Sequence, residues 1–161
     1  MGCDIHCYIE HKQYDSWWAF GGRINPGRCY HFFTLVAGVR GDESDCLFPV
    51  RGIPSDAAWE TKSENTMYVT ELGSDEPYSV SKKTAEQWVA AGYSQWVDTS
   101  HVTQPDWHSH SWVTGDEWAK AIRTYEKCGY NLSAEYYVMR EILREFKKQG
   151  QECRVVFWFD N

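Results

Sequence analysis

Asp4 and His6 stand two residues apart in a stretch, residues 3–10, where apolar and polar side chains alternate. Alternate residues of a strand project to the same side. A strand here would therefore present Asp4, His6, Tyr8 and Glu10 together, opposite Cys3, Ile5, Cys7 and Ile9. A carboxylate beside an imidazole suits Mn, Fe or Zn. The plainer alternative is a solvated strand face with His6 hydrogen-bonded to a neighbour. A second dense polar segment is Pro105-Asp106-Trp107-His108-Ser109-His110-Ser111-Trp112. In an extended loop His108 and His110 would point the same way. They could then bind a metal, or one could accept a proton while the other donates one. Its plainer alternative is a packing segment that leads into a helix at Thr114. Asp4, His6, His108 and His110 are thus the candidate catalytic residues and the candidate ligands of a divalent metal.

Gly41-Asp42-Glu43-Ser44-Asp45 matches the G-D-x-x-D of metallophosphoesterases, and His108-Ser109-His110 resembles their late His-x-His. A metal bridged by such groups would polarise a phosphate and lower the pKa of an attacking water. No G-N-H-E follows, however, and the helical crossovers of that fold are missing, so convergence or coincidence accounts for the match. His101-Val102-Thr103 has the H-x-T form of two-histidine phosphoesterases, whose two motifs lie far apart in sequence; residues 101 and 108 do not.

Anion recognition needs cations. Arg40 and Arg51 are the candidates, with Arg28 close by, because the guanidinium fork reads phosphate bidentately; surface ion pairing is the alternative for each. Aromatic residues make up 16% of the chain, with nine Trp and ten Tyr, and most must build the core. Trp17, Trp18, Trp107 and Trp112 sit among polar residues, where a ring can stack a flat ligand such as a nucleobase, at roughly 1–3 kcal/mol per base. Trp107, Trp112, Tyr8, Arg40 and Arg51 are therefore candidate ligand-binding residues. Asp160 joins them if the last strand lies beside the first.

At 161 residues the chain is expected to be one domain, 1–161. A net charge of −7 argues against a nucleic-acid polymer or an anionic membrane as partner. No apolar run approaches the ~18 residues of a membrane span, and residues 1–8 do not read as a signal peptide. Met1-Gly2 would need Ser or Thr at the sixth position for myristoylation, and His6 is there. The six cysteines include no C-x-x-C, which fits buried thiols in a reducing compartment.

The positioning elements follow from the pattern. Residues 3–11 read as a strand and 14–20 as its hairpin partner. Residues 28–39 read as a short helix, 40–65 and 93–113 as long loops, 67–72 as a strand, and 81–91 as a helix capped by Ser81 or Thr84. Thr114-Gly115-Asp116-Glu117 has the capping-box form, and Trp118, Ala121, Ile122 and Tyr125 follow at helical spacing. Ser133 opens a further helix with the stripe Met139, Ile142, Leu143 and Phe146. Residues 153–159 are too apolar for an exposed edge and are expected mid-sheet, beside the first strand. The fold class is α+β: a mixed or antiparallel sheet with three to four helices on one face.

The opening Met1-Gly2-Cys3-Asp4-Ile5-His6 resembles that of a family of small proteins of tailed phages and prophages. So do Phe33-Thr34-Leu35-Val36-Ala37-Gly38-Val39-Arg40, residues 51–56, the H-S-x-S-W segment at His108 to Trp112, and the closing V-x-F-W-F-D-N from Val155. Residues 62–100 lie outside the resemblance. It implies phage origin and a place in the bacterial cytoplasm, but no particular activity. Small acidic phage proteins with stacking aromatics look like those that counter nucleotide-signal immunity. The expectation is a phosphodiesterase-like hydrolase of a small nucleotide; the alternatives are a sponge that sequesters it and a module that binds a host protein.

Overall fold

In the computed structural model, which describes residues 2–161, the chain runs through β1 (Ile5–Gln13), β2 (Ser16–Ala19), α1 (Tyr30–Ala37), α2 (Trp59–Asn65), β3 (Thr66–Thr70), β4 (Ser79–Ser81), α3 (Lys82–Ala90), β5 (Trp96–Asp98), β6 (His101–Thr103), β7 (His108–Thr114), α4 (Gly115–Lys127), α5 (Ala134–Lys148) and β8 (Cys153–Phe159). Met1, the first residue of the opening block and of the Met-Gly pair, lies outside the described residues.

The alternation of residues 3–11 becomes β1. It turns into β2 through Tyr14 and Asp15, whose φ values of 53° and 60° suit a two-residue hairpin turn. The strand therefore continues through Lys12 and Gln13, read from sequence as the connection. β8 pairs antiparallel with β1, setting Ile5 opposite Phe159 and Ile9 opposite Val155, and β7 takes its other side, giving the order β2-β1-β8-β7. The first and last strands are adjacent, and the apolar last strand is interior, as its composition requires.

One face of this sheet, with Ile5, Cys7, Ile9, Val113, Val155, Phe157 and Phe159, packs on α1, α4 and α5 through Phe32, Phe33, Trp118, Ile122, Tyr136, Met139 and Leu143. Thr114 and Glu117 form the expected capping box of α4. Ile142 and Phe146, expected in the buried stripe of α5, are only partly buried at its margin. All six cysteines are free, and Cys3 and Cys7 are fully buried while Cys128 is exposed.

The opposite face is not solvated, contrary to the plainer alternative: Tyr8, Val156 and Trp158 are covered by Ile53, Ala57 and Val97. Residues 40–65, read as a loop, contain a 3-10 turn at 43–45 and α2. Residues 93–113, also read as loop, supply β5, β6 and β7. His108-Ser109-His110-Ser111 is poor in β-formers; pairing with the interior β8 makes it a strand, since strand preference depends on neighbours more than on intrinsic propensity. A second sheet, ordered β4-β3-β6-β5, carries α3 on Val80, Ala85 and Val102.

A buried ion pair ties the covering segment down. Glu10, fully buried, lies across from Arg154 in the β1–β8 register and accepts from its Nε at 2.7 Å. Its other oxygen accepts from the Ala58 N–H at 2.8 Å and the Thr61 hydroxyl at 2.7 Å. These bonds satisfy donors in the first turn of α2, whose N-cap, Ala58, has no side-chain oxygen. Arg154 in turn bonds Asp56 at 3.0 Å and lies 3.8 Å from the centroid of the Trp17 ring.

Candidate functional site

The β1–β8 register places His6 opposite Trp158 and brings the chain end back to Asp4. Asp160 donates its N–H to the Asp4 carbonyl at 3.2 Å, and its Oδ1 accepts the Asp4 N–H at 2.9 Å. The second oxygen, Oδ2, lies 2.8 Å from Nε2 of His6. An ionised carboxylate only accepts, so it places the imidazole proton on Nε2 and leaves the Nδ1 lone pair free. Nδ1 is buried and has no partner. The His6 ring is flanked by Trp107 at 5.9 Å and Trp158 at 6.0 Å, and these two indoles stack at 5.4 Å.

Three more unpartnered polar atoms gather at this end of β8: Nε1 of Trp158, Nε2 of His108 and Nε2 of His110. Most buried polar atoms find a partner, so a group without one is explained by a bound water, a ligand, a proton-transfer role or strain. The two histidines do not point the same way, contrary to the loop reading. The register shifts between His108 and Ser111, and Ser109 has φ of 51°. This irregularity re-aims the strand. His110 stacks 6.4 Å from Trp158, while His108 stacks 6.0 Å from Phe159, whose ring belongs to the helix-side core. His108 Nδ1 lies 2.9 Å from the Ser109 hydroxyl. Burial, with His108 close by, pushes the His110 pKa down to about 3, so this ring is neutral at pH 7.

Nothing in the geometry supports the metal expectation. Among the described residues no three His, Cys, Asp or Glu side chains form a group that could hold a metal ion. Asp4 is gripped by Arg28, one of whose bonds is 3.0 Å long; this pairing holds its carboxyl below the usual range. Asp42 of the G-D-x-x-D stretch instead accepts from the Ser44 N–H. His101 bonds Asp98 in the second sheet, away from this site.

The candidate binders divide. Arg40 lies at the histidine end, where its Nη2 donates to Asn161 at 3.3 Å, and Trp107 and Asp160 are there as well. Tyr8 stacks on Trp158 at 5.9 Å, and its hydroxyl donates to Glu64. Arg51 and Trp112 lie elsewhere. Arg51 forms a two-bond fork to Glu117 at 2.7 Å each and lies 4.7 Å from the Trp112 ring, so its guanidinium braces the start of α4. Trp158 is not among the candidates that the sequence offers, because a Trp in an apolar strand reads as core.

No family model matches the chain, nor does a curated protein or a solved structure. Among the described residues no helix is long and apolar enough to cross a membrane.

Proposed function

We propose that this chain is a phage-encoded hydrolase of the phosphodiesterase kind that acts on a small nucleotide, with His6 as general base. The observation that carries this reading is the His6–Asp160 pair, which orients the imidazole and leaves its Nδ1 buried and unpartnered. The same orienting logic serves catalytic histidines paired with carboxylates on unrelated folds. In the reaction His6 Nδ1 takes a proton from water, the water oxygen bonds to phosphorus, and the bond to the leaving oxygen breaks. His6, protonated in that step, then returns the proton from Nδ1 to the leaving oxygen, so the exchange balances on the one imidazole. Trp158 Nε1–H and Arg40 suit the phosphoryl oxygens, and Trp107 suits a base. The resemblance of both chain ends to a phage family supports the origin and the bacterial cytoplasm as the place of action.

A second reading is sequestration. It is favoured by His110, which is neutral, buried and has an unpartnered Nε2: such a group binds a ligand without converting it. One experiment separates the two. The protein and its His6→Gln, Asp160→Asn and His108→Gln variants are incubated with cyclic nucleotides and ADP-ribose-type compounds, and products are read by mass spectrometry. Hydrolysis is expected in the wild type and should fall by about 10²–10⁴ in His6→Gln, the usual worth of a general base. Undiminished turnover in His6→Gln refutes the assignment, and tight retention of unchanged nucleotide establishes sequestration instead.

A further inference from the structure

A cleft of about 570 Å³ lies at the other end of β8, beside Cys153 and Arg154 rather than Trp158 and Asp160. That falls within the ~300–1,000 Å³ of small-molecule sites. Along its wall β7 passes into α4 with no loop between them, and Gly115, which lines the cleft, is tightly packed. A Cβ there would come within 2.9 Å of the Cys153 sulfur and 3.3 Å of Leu143 Cβ. The floor is apolar, with Ala119, Leu143 and Cys153, and the indoles of Trp17 and Trp112 also line it.

The rim is cationic, in a chain whose net charge is −7. Arg123 of α4 is exposed at the cleft and has no ion-pair partner among the described residues. Arg144 and Lys147 of α5 reach it from the other side. Their bonds to Glu141 and Asp116, each 2.7 Å, join side chains more than half exposed, and solvent screening makes such pairs easy to exchange. The two lining carboxylates, Asp116 and Glu152, each have a lysine beside them, Lys147 at 2.7 Å and Lys12 at 3.7 Å, which offsets part of their charge. Beneath them the Arg154 guanidinium lies between two rings, 3.8 Å from Trp17 and 5.7 Å from Trp112.

We infer that this cleft is a second binding site, separate from the histidine site, for a small organic anion: an aryl or alkyl phosphate, sulfonate or carboxylate. The apolar body lies on Leu143, Ala119 and the indoles, and the acid group meets Arg123 and Arg144. A bare inorganic anion would leave the apolar floor wet, and a neutral aromatic would leave the arginines unused.

The probe is 8-anilinonaphthalene-1-sulfonate, titrated by fluorescence into the folded full chain. The expected result is a saturable isotherm that phenyl phosphate competes away and inorganic phosphate at the same concentration does not. Affinity should fall by about tenfold or more in Arg123→Glu and Arg144→Glu. It should be unchanged in Lys83→Glu, an exposed position on α3. The uncharged analogue N-phenyl-1-naphthylamine should bind about tenfold more weakly than the sulfonate. No saturable binding, equal affinity in Arg123→Glu and Arg144→Glu, equal affinity for the neutral analogue, or no competition by phenyl phosphate would each overturn the inference. Both arginines are exposed, so circular dichroism is expected to show the variants folded, and loss of affinity then reads the site.

Discussion

Replacing Glu10 with alanine removes one carboxylate and leaves three donors behind: Arg154 Nε, the Ala58 N–H and the Thr61 hydroxyl. Breaking a buried ion pair from one side costs about 3–5 kcal/mol, because the remaining charge stays buried. Arg154 keeps Asp56 and the Trp17 face, which places its share at the low end. Each orphaned donor adds about 1–3 kcal/mol where water cannot reach it, and the losses overlap. A total of about 4–6 kcal/mol results, against the ~5–15 kcal/mol that holds a domain folded. At roughly 2–4 °C per kcal/mol for a chain of this size, the midpoint should fall by about 10–20 °C. Glu10→Gln keeps an acceptor for Ala58 and Thr61 and should lose less. Glu10→Leu combined with Arg154→Met removes both charges and should be more stable than Glu10→Ala by about 2 kcal/mol or more. Urea unfolding followed by tryptophan fluorescence, with m compared across the set, supplies the numbers. A cost below about 1 kcal/mol for Glu10→Ala, or a double variant no better than the single, would refute the argument that this pair pins the second layer.

Two further outcomes concern pH. Burial depresses the His110 pKa to about 3. The unfolded chain therefore binds the extra proton first, and stability should drop as pH falls from about 6.5, by roughly 2–3 kcal/mol at pH 4.5. His110→Gln should flatten that slope, and an unchanged slope would refute the assignment. Burial opposes ionisation of Asp98, yet bonds from Ser100, His101 and Lys62 outweigh it and hold the pKa at about 2. Its stabilisation is complete above the ordinary carboxylate value and is lost as pH falls toward 2; Asp98→Asn should remove that part of the acid transition and leave the His110 part intact.

The legible parts of this fold are those whose signals are local. Alternation over nine residues marks β1, the Thr114–Glu117 box marks the start of α4, and Cys153–Phe159 is too apolar for an edge. From the last of these came the adjacency of β1 and β8, and with it the meeting of His6 and Asp160. The missed parts depend on distant partners. Glu10 reads as a solvated charge until Arg154 stands opposite, and Arg51 reads as a phosphate binder until Glu117 takes its fork. β5 and β6 are three residues each, too short to show a period. Asp4 and His6 do share a parity, but Asp4 precedes the first residue of β1 and is free to turn to Arg28.

The place of β8 also sets an order of events during synthesis. The order β2-β1-β8-β7 leaves β1 and β7 without a common border; each is bonded to β8, the last strand in the chain. Until residues 153–159 leave the ribosome, β1 has only its hairpin partner and β7 has none in this sheet. The closing pairings span nearly the whole chain, as in Ile5 with Phe159, and such distant contacts slow folding because the intervening chain must first be ordered. His6 and its aspartate cannot meet before that pairing forms, and a nascent chain arrested before Asp160 emerges carries no oriented histidine.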